Sequence, residues 1–321
     1  MDWYGRSLRM GAAAIGAAIL LRMGVDHLPQ EVGWANISQE AASFVIYLET
    51  GRVTRPLPQT TETTEATPPS TAPTAPRLPE FSAEDAALVY LRGTGETPDP
   101  EDLIGLPLEL DLSGNAPTVL ILHTHATESY TKTSGQDYSE SSAYRTLDTD
   151  YNMVAIGAYL AQLLEAQGIR VIHDTTLHDH PQYTGSYDRS EVTVQTYLEQ
   201  YPTIQLVLDL HRDAIADDRN GQLDTSATVD GRESAQIMLL LGTDHENWAE
   251  NMNLAVKLTA LLEKNHPGIT RGILTRDYEY NHQLSPGALL VEMGAAGNTQ
   301  TEALVAAEAL AEAILTLRFG A

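Results

Sequence analysis

Three polar interruptions of apolar runs carry the side chains that could do chemistry in this chain. The first is His123-Thr124-His125-Ala126-Thr127-Glu128, directly after the apolar residues 119–122. The second is His211, at the end of LVLDLHRDA, with Asp209 two residues earlier on the same face. The third is Glu292, which follows the apolar triplet Leu289, Leu290 and Val291. An imidazole and a carboxylate in H-x-x-E spacing on a turn can meet at one cation, and a second imidazole from a neighbouring strand end completes a set of three ligands. Zinc accepts histidine nitrogen and carboxylate oxygen in such a set and keeps a fourth position for water. The chain has no cysteine, so disulfides, thiolate metal sites and thiol nucleophiles are excluded. Any metal must be held by His, Asp or Glu.

On this reading His125, Glu128 and His211 hold Zn2+ and Glu292 is the catalytic carboxylate. Burying Glu292 without a partner would be expensive, and a water acidified by zinc is such a partner: the carboxylate takes its proton and passes it to the leaving amine. His123 competes with His125, because residues two apart on a strand share a face; the H-x-x-E spacing favours His125. Asp148 and Asp150 stand where a helix begins and are expected to cap it, with a ligand role for Asp148 as the alternative. Arg212 could grip a substrate carboxylate and Asp213 could orient an imidazole. The cluster His173, His178, Asp179 and His180 lies among turn residues and reads as a loop bordering the cleft.

Positioning three such interruptions at one edge requires a sheet. From residue 117 onward short apolar runs alternate with amphipathic stretches, the pattern of an α/β domain with a largely parallel central sheet flanked by helices. Residues 119–122, 170–173, 205–210, 236–241 and 288–292 are expected as strands. Residues 151–167, 191–200, 247–265 and 301–317 are expected as helices, with Leu160, Leu163 and Leu164 on one apolar face. In such sheets ligands sit beyond the carboxyl ends of the strands, where His125 and His211 fall.

The amino-terminal third reads differently. Arg6 and Arg9 precede an apolar run over residues 10–21 that Arg22 interrupts, so residues 1–30 are expected to be a membrane anchor or a signal segment. Residues 31–53 follow as a post-anchor segment. Residues 54–80, rich in Thr and Pro and without a periodic apolar face, form a linker. Stretched as polyproline helix at about 3.1 Å per residue, it would reach on the order of 80 Å. Residues 81–116 precede the catalytic domain, placed at 117–321. The formal net charge of -25 excludes a nucleic-acid partner, since nothing here would replace the counterions on a phosphate backbone. An acidic surface suits a neutral or cationic partner.

VLILHTHATESY, DYNMVAIGAYLAQLLEAQGIRVIHD, YDRSEVTVQTYLEQYPTIQLVLDLHRDAI and GALLVEMGAAGNTQTEA, with SFVIYLETG before the linker, resemble the stage II sporulation protein P family of endospore formers. The resemblance runs from about residue 118 to the C-terminus. It implies a zinc amidase architecture, similar to carboxypeptidase and phosphorylase-like folds, and hydrolysis of the N-acetylmuramoyl-L-alanine amide of peptidoglycan, together with cleavage of peptide cross-links. It also implies a single amino-terminal anchor with the catalytic domain outside the cytoplasm, in the intermembrane space of the sporangium during engulfment. A lytic transglycosylase, stage II sporulation protein D, is the implied partner. Carried over by position, the resemblance supports His125 and His211 as ligands, Glu128 as the carboxylate ligand by its carboxypeptidase-like H-x-x-E spacing, and Glu292 as the catalytic residue. In the wider amidase family a Glu just before the first helix binds the metal; the matching residue is Asp148, one methylene shorter, which leaves Glu128 and Asp148 in competition. Two other readings share these residues: a catalytically silent wall-binding scaffold, and a metallocarboxypeptidase or deacylase acting on small substrates.

Overall fold

A computed structural model describes residues 79–216 and 221–320, all within the unit Pro73–Ala321. The anchor or signal at 1–30, the post-anchor segment at 31–53 and the linker up to residue 78 lie outside the described residues. Among the described residues no helix is long and apolar enough to cross a membrane.

In chain order the elements are α1 (Ala83–Ala86), β1 (Leu91–Gly93), α2 (Pro100–Ile104), β2 (Leu110–Asp111), β3 (Val119–Leu122), α3 (Met153–Glu165), β4 (Val171–His173), α4 (Ser186–Gln200) and β5 (Leu206–Asp213). There follow β6 (Ser226–Val229), β7 (Arg232–Ala235), β8 (Ile237–Gly242), α5 (Trp248–Asn265), β9 (Thr270–Arg276), a 3-10 turn (His282–Leu284), β10 (Ala288–Ala295), α6 (Gln300–Leu317) and β11 (Phe319–Gly320). Seven strands form the central sheet in the order β1-β9-β8-β10-β5-β3-β4. Every neighbouring pair is parallel except β8 with β10. The fold is therefore α/β with a largely parallel sheet flanked by helices, as the alternation of runs predicts.

The inner strands are continuous apolar runs because both of their faces are covered. Side chains alternate between two clusters. Val119, Ile121, Leu206, Leu208, Leu210, Leu289 and Val291 pack on the side of α3, α5 and α6. Leu120, Leu122, Val207 and Ala288 pack with Val194 of α4 on the other. Helix α3 buries Met153, Ile156, Leu160 and Leu164, spaced three and four apart. The side chain of Asn152 caps it by accepting a hydrogen bond from Val154 N at 3.0 Å. The expected caps, Asp148 and Asp150, both precede the true cap: Asp148 is exposed and its carboxylate accepts from Asp150 N at 3.1 Å. Helix α6 begins with a reciprocal capping box between Thr299 and Glu302.

Residues 81–116, placed ahead of the domain by the sequence pattern, contribute β1 to the sheet edge, pairing in parallel with β9. Lys257, buried in α5, donates to Leu103 O at 3.2 Å and so ties this segment to the helical layer. Strand β9, which pairs with β8, and the separate hairpin of β6 with β7 were not expected from the sequence.

Candidate metal centre

Strands β3, β5 and β10 run in the same direction side by side, and their registers bring their carboxyl-terminal ends together. Leu122 pairs with Asp209, and His211 pairs with Glu292. Alternation then decides which side each group faces. Val207 packs towards α4, so Asp209 and His211, two and four residues on, face the same way. Glu292, across from His211, faces that side as well.

His125 reaches this side by a different route. By strand alternation it would share a face with His123, on the α3 side. The strand ends at Leu122, however, and a turn closed by Glu128 N donating to His125 O at 3.1 Å swings His125 across towards His211. His123 stays behind. Fully buried, it meets Leu210 O at 3.1 Å through Nδ1 and His173 Nε2 at 2.9 Å through Nε2. Gly157 in α3 makes room for this pair: a Cβ there would come within 2.5 Å of His123 Nε2 and 2.6 Å of His173 Nε2.

His125, Glu128 and His211 each offer one ligand atom, and the three atoms lie within 4.8 Å of one another. Nδ1 of His125 is 3.6 Å from one Glu128 oxygen and Nδ1 of His211 is 3.7 Å from the other. The outer nitrogens face partners that hold the rings in place. His125 Nε2 meets Ser186 Oγ at 3.1 Å. His211 Nε2 lies 3.0 Å from Asp209 Oδ1, close but without a well-directed hydrogen bond. Asp209 is itself fixed by Thr124, whose N and Oγ1 donate to it at 2.8 and 2.6 Å. A carboxylate behind a metal-facing histidine is the usual way of setting its ring orientation and basicity.

The electrostatics suit a cation. Burial and the neighbouring His211 charge push His125 down to about 4, so its ring is neutral and able to coordinate at neutral pH. Burial disfavours charge on His211, but Asp209 and Glu128 outweigh it and raise the pKa well above the ordinary value. Glu128 is buried, which alone would raise its pKa; Arg212, His211 and His125 hold it well below the carboxylate range. Two acids thus keep one positive charge on His211, and a divalent ion would take the place of that proton. Glu292 Oε2 is buried with no hydrogen-bond partner, and burial lifts this carboxyl to about 8, with the Glu128 charge adding to the rise. Two imidazoles, a charged carboxylate and an unsatisfied carboxyl fit a zinc ion in donor type and in charge.

Behind the group stands Arg145, which the sequence did not single out, together with Asp179 and Arg212, which it did in other roles. Arg145 donates to Glu128 Oε1 at 3.0 Å and to Asp179 Oδ2 at 2.5 Å. Asp179 also accepts from Thr127 N and Oγ1, at 3.1 and 2.6 Å, which anchors the turn. Arg145 has no periodic signal, being in an irregular stretch, and only the bridge it forms with Glu128 reveals it. Arg212, suggested as a grip for substrate, is buried and turned inward: its backbone N donates to Glu128 Oε2 at 3.2 Å and its guanidinium to Ser129 O and Tyr144 O. Asp213 pairs with Arg271 at 2.8 Å rather than with an imidazole. Asp148 does not join the group. Of the histidine-rich loop, His178 meets His123 O at 3.0 Å, Asp179 braces the turn, and His180 is exposed.

These features define an α/β protein with a buried two-histidine, one-carboxylate group, the donor set of a metal-dependent site, beside an unsatisfied carboxyl. The family model for stage II sporulation protein P matches residues 43–315, and the chain belongs to that family. It is 30% identical over 211 residues to stage II sporulation protein P of Bacillus subtilis (strain 168), covering 62% of this chain and 51% of that protein. The chain therefore matches about half the length of this relative. Among solved structures it is similar to N-acetylmuramoyl-L-alanine amidase AmiC2 of Nostoc punctiforme, at 13% identity and a TM-score of 0.36 over 63% of this chain and 97% of that one. It is also similar to the apo form of the amidase Ami1 from Mycobacterium abscessus, at 14% identity and a TM-score of 0.38 over 63% and 99%.

Proposed function

We propose that this protein is a zinc-dependent peptidoglycan hydrolase that acts in sporulation and cleaves the amide between N-acetylmuramic acid and L-alanine. The observation that carries the reading is the convergence of His125, Glu128 and His211 with the carboxyl of Glu292 in register beside His211. The bond and the substrate are those implied by the family. Residues 1–30 as an anchor and 54–80 as a linker belong to the same reading, holding the domain beside the wall outside the cytoplasm.

When bound, zinc supplies Lewis acidity, polarising an amide carbonyl and lowering the pKa of water. His125, Glu128 and His211 would hold it, with Asp209 and Ser186 fixing the two rings and Arg145 and Arg212 fixing the carboxylate. Glu292 moves the proton: its carboxylate takes one from the attacking water and returns it to the leaving nitrogen. A carboxyl whose pKa stands near neutrality both accepts and releases a proton readily.

The test is metal content and muropeptide release by the full chain, beside Glu292→Gln and His211→Ala, with products identified by mass. The expected result is one zinc per chain, stem peptides beginning at L-alanine from the wild type only, and retained metal in Glu292→Gln. Absence of bound metal, or intact wall after incubation with the zinc-loaded wild type, would overturn the reading in favour of a silent scaffold.

A further inference from the structure

The loop from β9 to β10 carries Arg276-Asp277-Tyr278-Glu279-Tyr280-Asn281-His282, and its backbone is unusual. Tyr280 and Asn281 have φ of 52° and 62°, the left-handed region that asparagine tolerates but a bulky tyrosine rarely occupies because it costs free energy. The conformation is held in place. Asn281 Nδ2 donates to Tyr187 O at 3.1 Å and to Ser190 Oγ at 3.0 Å in α4. The loop lies so close to the end of β8 that a Cβ on Gly242 would meet Tyr278 O at 2.1 Å.

The result is a continuous line of rings leading out of the metal centre. Tyr187 stacks parallel to His211 with centroids 6.4 Å apart and an interplanar angle of 9°. Tyr280 and Tyr278 meet Tyr187 edge to face at 5.6 and 6.4 Å, and each other at 4.8 Å. The outermost ring, Tyr278, is 53% exposed. A strained loop that ends in an exposed aromatic beside a reactive group is built for contact with a ligand rather than for the core.

The chemistry of that ligand follows from the surroundings. Tyr278 is flanked by Asp277 and Glu279, both exposed, on a chain whose formal net charge is -25. Carboxylates on an incoming peptide would be repelled here. A neutral pyranose would not be: it offers one face of C–H groups to an aromatic ring and a rim of hydroxyl and amide donors to carboxylate oxygens. The geometry points to Tyr278 and Tyr280 as a sugar subsite, which stacks on an N-acetylated pyranose of the glycan strand and sets which side of the metal centre the glycan occupies. This inference rests on peptidoglycan as the substrate.

The experiment is calorimetric titration of the zinc-loaded full chain with the β-1,4-linked tetramer of N-acetylglucosamine, and separately with a soluble stem peptide. The variants are Tyr278→Ala, Tyr278→Gln and Tyr278→Trp, with melting temperatures checked in parallel; the exposed position predicts unchanged folding in at least one truncated variant. The wild type is expected to bind the sugar, Ala or Gln to weaken it by about ten-fold, and Trp to restore it. No sugar binding by the wild type, unchanged binding in the folded truncated variants, or a loss confined to the stem peptide would overturn the subsite. Sugar binding requires no turnover, so the two readings fail separately. A chain that binds sugar yet cuts no wall defeats only the hydrolase, and one that cuts yet does not bind sugar defeats only the subsite.

Discussion

Glu292→Gln tests the electrostatics of the centre without reference to turnover. In the protein alone burial raises this carboxyl from 4.5 to about 8, so the folded state holds the proton more tightly than the unfolded chain does. Stability contributed by this group is then fully present at low pH and is lost as the pH rises through the interval between those values. At about 1.36 kcal/mol per pH unit, the loss between pH 5 and pH 8 is on the order of 3 kcal/mol. Glutamine has no charge to lose. It does leave a buried amide group unpaired where Oε2 has no partner, at roughly 1–3 kcal/mol, but that cost does not change with pH. Urea unfolding of the metal-free wild type and of Glu292→Gln at pH 5, 7 and 8 should show the wild type losing ground steadily, so that the variant gains relative to it by about 3 kcal/mol across the range. Added zinc should shrink the difference, because a nearby positive charge favours the ionised carboxylate. Parallel stability profiles for the two proteins in the absence of metal would refute the assignment of Glu292 as a carboxyl strained by burial.

Zinc binding at pH 7 is expected to release a proton from His211, whose charge Asp209 and Glu128 sustain against burial, and to draw a further one from Glu292 as its carboxyl ionises beside the ion; affinity should rise with pH, and calorimetry in buffers of different ionisation enthalpy measures both, an enthalpy independent of buffer being the contrary result. Arg212→Ala should destabilise the fold by about 3–5 kcal/mol, since it leaves buried Glu128 short of a partner and removes a donor from Ser129 O and from Tyr144 O, the latter keeping only Ser129 N; a shift under about 1 kcal/mol in urea unfolding would show that Arg145 suffices alone. Leu160→Ala, at the fully buried face of α3, should cost about 2–5 kcal/mol with metal affinity unchanged, so a parallel loss of zinc binding would mean that α3 sets the centre directly.

How far the site could be read in the sequence varied from residue to residue. His211 and Glu292 end apolar runs whose period of two already says which residues share a face, and the register of two parallel strands then sets them side by side. His125 over His123 was readable only as a preference in spacing. The same alternation would have kept both histidines together; the turn after Leu122, closed through Glu128 N, breaks it. Arg145 left no trace, because it stands in an irregular segment that has no period, and Ser186 left none because it opens α4 ahead of the helix expected at 191–200; Asp179 was legible only as part of a loop bordering the cleft.

The sequence by itself determined the alternation of strands and helices, the apolar faces that must be buried, the exclusion of thiolate chemistry, and the residue types available to a metal. Those follow from local hydrophobic periodicity and composition, which need no partner from elsewhere in the chain. Tertiary structure alone decided the order of the strands, the incorporation of residues 81–116 as a sheet edge, and the division of labour among the polar groups. Which carboxylate faces the histidines, which arginine braces it and which carboxyl is left unsatisfied depend on distances of a few ångströms between segments up to about 170 residues apart in sequence. Coulombic and desolvation energies are set by those distances and by burial, and neither is written in any single stretch of the chain.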